Sequence, residues 1–250
     1  MDKTESTRPG PADPLRWLAR GWRDFLLCPG IGLFYGLCFC LMGHALRWVF
    51  KSAPEYVLAL SAGFLLVGPF LCLGLYDASR ALELGGSAPS LRGTLTAWKG
   101  NRGQMAIFAG LLLILELIWS RASLVVFAVS FNTLPSTESL LADLLRPENL
   151  QFLLIYTAVG AVFAGLIFVT SVVSIPMILD RQVDAVTAGL SSMQVCAQNP
   201  VVMLLWGGLI TLLVALAMLP GFVGLLVAGP VLGHASWHAY RQLLPRHRAG

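Results

Sequence analysis

The sequence predicts an all-α polytopic membrane protein with six transmembrane helices, arranged as three repeats of an interfacial amphipathic helix followed by a helical hairpin. Of its 250 residues, 56% are hydrophobic and only 12% are charged, whereas a soluble domain has roughly 25% charged residues. Continuous apolar runs of about 20 residues, the length that spans a bilayer, alternate with short amphipathic segments. Much of the surface must therefore face lipid, and the continuous runs exclude the alternating pattern of an outer-membrane barrel.

The stretch 171–200 shows the repeating pattern most clearly. It begins inside an apolar run, passes Pro176 and becomes polar at Asp180-Arg181. An amphipathic helix follows, and apolar sequence resumes at Pro200. We interpret this order as a span, an exit, a surface helix and a re-entry.

The spans are predicted from the apolar runs between these segments. The third run has Gln104 near its start and would be about 42 Å long at about 1.5 Å per residue, which exceeds a bilayer core of about 30 Å. It must tilt, kink or protrude. The connection 132–149 is the only long loop, with a short helix predicted from Ser136 to Leu145. The six spans are predicted at about residues 31–50, 55–76, 104–131, 147–179, 201–219 and 222–240.

Each surface helix has a predicted N-cap residue. Asp13, followed by Pro14, caps the first helix, which extends to about Leu27. Ser90 caps the second, which extends through Arg102, and Asp184 caps the third. In the first helix one face is apolar and the other is polar, a pattern typical of helices that lie in a membrane interface. The apolar face comprises Leu15, Leu18, Trp22, Phe25 and Leu26, and the polar face comprises Arg16, Arg20, Arg23 and Asp24.

Internal correspondences predict three repeat units, over about residues 13–85, 88–180 and 184–244. Gly68-Pro69 and Gly229-Pro230 are each followed by an aromatic residue seven positions after the proline and by an arginine eleven positions after it. The middle unit fits less closely. Residues 1–12 are expected to form a disordered tail, and residues 245–250 a basic one.

The distribution of basic residues predicts the orientation. With six spans both termini share one side, and 13 of the 17 Lys and Arg residues lie there. The positive-inside rule then predicts cytoplasmic termini and surface helices in a bacterial inner membrane. Anionic lipid headgroups are the expected partners of the basic residues on the first two surface helices. These residues are Arg16, Arg20, Arg23, Arg92 and Lys99.

Glu116 is the strongest candidate for a functional residue. It lies about 18 Å into the third predicted span, and an ionisable group at that depth is functional by default. The structural alternative is an ion pair with Arg121. His44 lies about 21 Å along the first span, at a similar depth. Glu116 and His44 together would suit a small-solute or proton-coupled transporter.

His234 and His238 are weaker candidates, at positions i and i+4 of one helix face. With His44 they could bind haem or a metal, but the pattern predicts no cofactor. No nucleotide-binding, hydrolase or metalloprotease motif is present, so no enzymatic activity and no nucleic-acid partner are predicted. Charges at the ends of the spans are interpreted as cytoplasmic interface charges. These are Asp77, Arg80, Asp180, Arg181 and Asp184.

Three stretches together resemble the DUF2189 family of bacterial integral membrane proteins. They are GFLLVGPFLCLGLYDASRALELG (63–85), SVVSIPMILDRQVDAVTAGLSSMQ (171–194) and GPVLGHASWHAYRQL (229–243). The resemblance extends from about Trp17 to Leu244 and implies a multi-span inner-membrane protein. Some relatives carry a cytochrome-oxidase-like name, but this sequence lacks the six inward histidines of such a catalytic subunit.

The sequence therefore favours a structural, assembly or partner-binding protein of the inner membrane, which could form homo-oligomers through its surface helices. Transport by Glu116 and His44 is the main alternative. A haem- or metal-binding membrane protein is the weaker one.

Overall fold

The helices of the protein begin and end close to the predicted positions. The computed structural model describes residues 9–52, 57–85, 89–130 and 149–245, and within them all regular structure is helical. The predicted short helix from Ser136 to Leu145, and the start of the fourth span at Pro147, lie outside the described residues. The α-helices are α1 (Asp13–Leu27), α2 (Pro29–Ser52), α3 (Val57–Glu83), α4 (Leu91–Thr96), α5 (Arg102–Ser130), α6 (Leu150–Ser171), α7 (Ser174–Arg181), α8 (Ala185–Gln198), α9 (Pro200–Met218) and α10 (Leu225–Leu243).

Local polar groups determine where the surface helices begin. The side chain of Ser90 accepts a hydrogen bond from the amide of Gly93, and that of Asp184 accepts one from Thr187. Both predicted caps are confirmed. The prediction for Asp13 is off by one residue, because α1 begins at Asp13 itself and its carboxylate accepts the Gly10 amide instead.

Two predicted helices are divided in the structure. The second surface helix is α-helical only as α4 and then continues as a 3-10 helix, Ala97–Asn101. The fourth span is interrupted after Ser171, and α7 begins at Ser174. Pro176 explains the interruption, since proline lacks an amide hydrogen and its ring clashes with the preceding turn of a helix. The restart at Ser174 places Pro176 in the first turn of α7, where no amide donor is needed.

Four helical stretches in the described residues are long and apolar enough to cross a membrane. Their most apolar windows are only 6% to 28% buried, and large hydrophobic side chains cover their outer surfaces. Such exposure suits lipid as the surrounding solvent. The helix α10, which contains the predicted sixth span, is not among the four. The side chains of residues 57–67, in the predicted second span, lie outside the described part of the chain. The stretches are Pro29–Val49, Leu91–Ser130, Leu150–Arg181 and Pro200–Met218.

The main core lies where the C-terminal parts of α3 and α10 meet α7 and α1. Trp17 of α1 is fully buried there, with its ring edge-on to Trp206 of α9 at a centroid distance of 5.6 Å. Trp237 and Tyr240 of α10 are also fully buried. On α1, Trp17 faces the core, while Leu15 and Trp22 of the predicted apolar face are exposed.

Each surface helix buries the residue four positions after its predicted cap, namely Trp17, Thr94 and Ala188. The indole of Trp17 donates to Gln242 of α10 at 2.8 Å. The hydroxyl of Tyr35 in α2 donates to Thr94 at 3.2 Å. The hydroxyl of Ser174 in α7 donates to the carbonyl of Ala188 at 3.0 Å. In the packing of whole helices, α10 contacts α1 and α2, α3 contacts α4 and α5, and α7 contacts α8.

Close backbone approach between α2 and α10 depends on a residue without a side chain. A Cβ atom at Gly36 would lie 2.1 Å from the carbonyl oxygen of Leu226, far inside van der Waals contact. Gly36 is thus a packing residue of the kind that lets two membrane helices approach closely.

We expect Gly36→Ala to lower the free energy of unfolding by about 3 kcal/mol or to block assembly of α10, because the added methyl group meets backbone that cannot move aside. Thermal unfolding of the purified protein in detergent measures the change. Gly30→Ala is the matched control, since nothing lies within 4 Å of a Cβ atom there. Equal stability of the two variants would contradict the close contact.

Candidate functional site

Asp24 lies on the buried face of α1 rather than on the predicted polar face. It follows Trp17 and Gly21 at intervals of seven and three residues, so the three residues share one side of the helix. A Cβ atom at Gly21 would lie 2.5 Å from the carbonyl oxygen of Val231, and the absence of one lets the backbone of α1 approach α10 closely. Asp24 is consequently only 7% exposed.

The Asp24 carboxylate joins three helices. Its Oδ2 atom accepts a hydrogen bond from the hydroxyl of Ser79 on α3 at 2.7 Å. The same oxygen lies 2.8 Å from Nε2 of His238 on α10. Ser79 Oγ also lies 2.8 Å from Nδ1 of His234, one turn before His238. Ser79 and His234 are fully buried. We name these four residues the Asp24 network.

The chemistry of the groups determines the direction of every hydrogen bond. An ionised carboxylate can only accept, so Ser79 and His238 Nε2 both donate to Asp24. The single proton of Ser79 is then used, and Nδ1 of His234 must donate to the serine oxygen. With Asp24 ionised, all protons in the Asp24 network point toward the carboxylate, and this arrangement stabilises the anion.

The pKa of Asp24 reflects this balance. Burial raises the pKa, but hydrogen bonds from His238 and Ser79 and the charges of the two histidines outweigh it, so the pKa lies below its ordinary value. A carboxylate that accepts several hydrogen bonds is expected to behave in this way.

The arrangement of Ser79 differs from that of a catalytic serine. In a Ser-His-Asp triad the histidine takes the serine proton, and the carboxylate binds the other ring nitrogen. Here the serine proton points directly to Asp24 and not to a histidine. Ser79 links the helices rather than being activated as a nucleophile.

A second group of charges lies at the ends of α3, α7 and α10. The hydroxyl of Tyr240 donates to the buried Asp180 at 2.8 Å. Arg80 and Arg241 lie 3.6 and 3.8 Å from the Asp180 carboxylate. Arg181 donates to the Tyr240 oxygen at 2.9 Å and lies over its ring. The predicted interface charges Arg80, Asp180 and Arg181 therefore converge on one site, which we name the Asp180 cluster.

The remaining predicted site residues are placed as follows. Glu116 is buried on α5, and no hydrogen bond or ion pair links it to another described residue. His44 is exposed on α2, with its ring 6.1 Å from that of Phe222. Arg121 is exposed and makes no ion pair with Glu116. Asp77 is partly buried at the polar end of α3. Within the part of the chain that the structure describes, no three His, Cys, Asp or Glu side chains form a group that could hold a metal ion.

Sequence reasoning identified the two histidines but missed Asp24 and Ser79. The spacing Trp17–Gly21–Asp24 was a usable signal, because a small residue between two larger ones on one helix face marks a close helix contact. Ser79 offered no such signal.

We expect Asp24→Asn to lower the free energy of unfolding at neutral pH by about 2 kcal/mol, because hydrogen bonds to a charged group contribute about 1.5–3 kcal/mol. Because the folded pKa is depressed, the stabilisation is present above the unfolded-state pKa of about 3.9 and is lost as the pH falls through the folded value. The stability difference between wild type and Asp24→Asn should thus shrink on acidification below about pH 4.

Asp184→Asn provides the control for this measurement. Asp184 is exposed and asparagine caps a helix about as well as aspartate, so the change in stability should be much smaller than that of Asp24→Asn. Thermal unfolding of both variants across a pH series in detergent measures the effect. A pH-independent difference for Asp24→Asn would show that Asp24 is not held as an anion.

Comparison with known proteins supports the membrane assignment. A family model described as "Predicted integral membrane protein (DUF2189)" matches residues 57–180, which include α3, α5 and the Asp180 end of α7. No curated protein and no solved structure matches the chain. The resemblance seen in the sequence is confirmed, and the segment from residue 57 to residue 180 belongs to the DUF2189 family of integral membrane proteins.

Proposed function

We propose that this protein is a non-enzymatic scaffold of the bacterial inner membrane, built from three units that close into a ring and bind a partner protein or a further copy of the chain. The observation that carries the proposal is the equivalent contact made by each surface helix. At the position four residues after the predicted cap, α1, α4 and α8 each contact the unit that precedes them. For α1 the preceding unit is the last one in the chain.

The contacts among whole helices support a closed ring of the units 13–85, 88–180 and 184–244. The third unit packs on the first through α10 and α1, as the first packs on the second through α3 and α4. The second packs on the third through α7 and α8. The three closing helices α3, α7 and α10 meet at the Asp180 cluster, to which each contributes an arginine.

The use of polar groups favours a scaffold over an enzyme. The Asp24 network and the Asp180 cluster both connect helices that are distant in sequence. Their protons are directed to buried carboxylates, so neither contains a serine prepared for nucleophilic attack. Large hydrophobic side chains remain exposed on α5, α6 and α9, and such helix faces can contact lipid or a membrane partner.

Six spans and cytoplasmic termini complete this proposal, and reporter fusions test them. A reporter active only in the cytoplasm should be active at both termini and inactive in the connection 132–149. The reason is that three of the six predicted spans lie between each terminus and this connection. Activity in that connection together with activity at the termini would contradict the six-span arrangement. A fusion after Gly85 should be active as an internal control.

Proton-linked or solute transport is the second candidate, and the burial of Glu116 favours it. A carboxyl group in a membrane helix with no partner among the described residues is a site where function is expected. The structure does not connect Glu116 to His44, since one is buried on α5 and the other is exposed on α2. The transport proposal therefore depends on Glu116 rather than on the pair.

Complementation of a strain that lacks the gene separates the two functions. If the protein is a scaffold, the Glu116→Gln and His44→Ala variants should correct any growth defect of the strain as well as wild type does. The Gly36→Leu variant should not correct it, because the larger side chain disrupts the helix contact. Arg121→Gln is the control for a change of charge on α5. Loss of complementation by Glu116→Gln alone, at normal protein abundance, would support transport and contradict the scaffold proposal.

A further inference from the structure

A cavity of about 370 Å³ opens beside the Asp24 network, between α1, α3 and α10. Six of the residues that line it carry ionisable side chains: Arg20, Arg23, Asp24, Glu83, His238 and Arg241. Leu27 and Leu82 form apolar parts of its wall. The cavity is open to the outside of the helices, and Arg20 and Arg23 are exposed at its wall.

Both acidic side chains in the wall already have partners. Glu83 accepts hydrogen bonds from Nε of Arg241 at 2.8 and 3.0 Å and from the indole of Trp237 at 2.9 Å. Asp24 accepts from Ser79 and His238. Neither carboxylate therefore needs a cation from a ligand.

The guanidinium groups of Arg20 and Arg23, unlike the two carboxylates, have no protein partner among the described residues. Among the described residues, neither makes a hydrogen bond or an ion pair, although both line the cavity. They are three residues apart on α1, so their side chains lie on neighbouring positions of one helix face. Arg16, the next basic residue on this helix, instead pairs with Asp13 at 2.9 Å and does not line the cavity.

We propose that this cavity binds a phosphate ester through Arg20 and Arg23. Guanidinium groups match phosphate oxygens with two parallel hydrogen bonds and are the preferred side chains for phosphate recognition. The cavity volume falls in the range of about 300–1,000 Å³ typical of small-molecule sites and exceeds what a bare phosphate ion fills. The ligand is either the headgroup of an anionic lipid or a soluble phosphate ester, which share this chemistry.

The site differs from general attraction of basic residues to a charged bilayer. General attraction adds about 1 kcal/mol of membrane-binding free energy for each basic residue near the membrane surface, whatever its position in the protein. If the cavity is a specific site, replacing Arg20 and Arg23 should weaken phosphate binding more than replacing Arg92 and Lys99. The latter two residues lie on the second surface helix, outside the cavity. Binding of a phosphate ester in this cavity does not depend on the proposed scaffold function.

The experiment uses the full-length protein in an uncharged detergent and measures binding by native mass spectrometry and by the increase in Tm. The probes are phosphatidylglycerol, phosphatidylethanolamine, glycerol phosphate and inorganic phosphate. Arg20→Gln/Arg23→Gln is compared with the matched double variant Arg92→Gln/Lys99→Gln. The double variant Arg20→Lys/Arg23→Lys retains both charges but cannot form bidentate hydrogen bonds. It also serves as a control in case the glutamine variant folds poorly.

We expect phosphatidylglycerol or glycerol phosphate to bind wild type and the Arg92/Lys99 variant equally, and to bind the Arg20/Arg23 glutamine variant at least about tenfold more weakly. The lysine variant should show an intermediate affinity. Competition by glycerol phosphate would identify a soluble phosphate ester as a ligand, and binding of phosphatidylglycerol alone would identify the lipid. Equal affinity of both glutamine variants, or no binding of any phosphate-bearing probe, would overturn the proposal.

Discussion

Two buried carboxylates, Asp24 and Asp180, determine how the helices of this protein meet. Lipid provides no hydrogen bonds, so polar groups that leave water must be satisfied by other parts of the protein. Asp24 accepts from α3 and α10, and Asp180 of α7 accepts from α10 and pairs with arginines of α3 and α10. Removing one partner would leave a buried charge uncompensated, which is why such contacts fix one arrangement of helices.

Features that depend on neighbouring residues were predictable from the sequence. The caps at Ser90 and Asp184 follow from a hydrogen bond that spans three residues. The ends of α3 and α9 are marked by glycines with positive φ, Gly85 and Gly221, since only glycine adopts this conformation without strain. Long apolar runs predicted the helices of α2, α5 and α9 because burial and lipid exposure both follow hydrophobicity.

The partners of Asp24 could not be predicted in the same way. They lie 55 and 214 residues away in sequence, and no local pattern encodes such a pairing. Charged residues of an amphipathic helix usually face outward, and by this pattern Asp24 was expected beside Arg20 and Arg23 on the polar face of α1. The interruption at Ser171 was similarly uncertain, because Pro176 restricts a helix locally but does not determine which residue begins the next one.

Pairing of the first helix with the last has a consequence for biosynthesis. Gln242 of α10 contacts both Trp17 and Asp13, and the second of these contacts joins residues 229 positions apart. While the ribosome is still making the chain, α1 has no surface on which to bury Trp17 or the Asp24 carboxylate. The native packing of α1 can therefore form only after α10 has been made. A chain that stops before α10 would display a polar helix face of the kind that quality-control proteases in the membrane recognise.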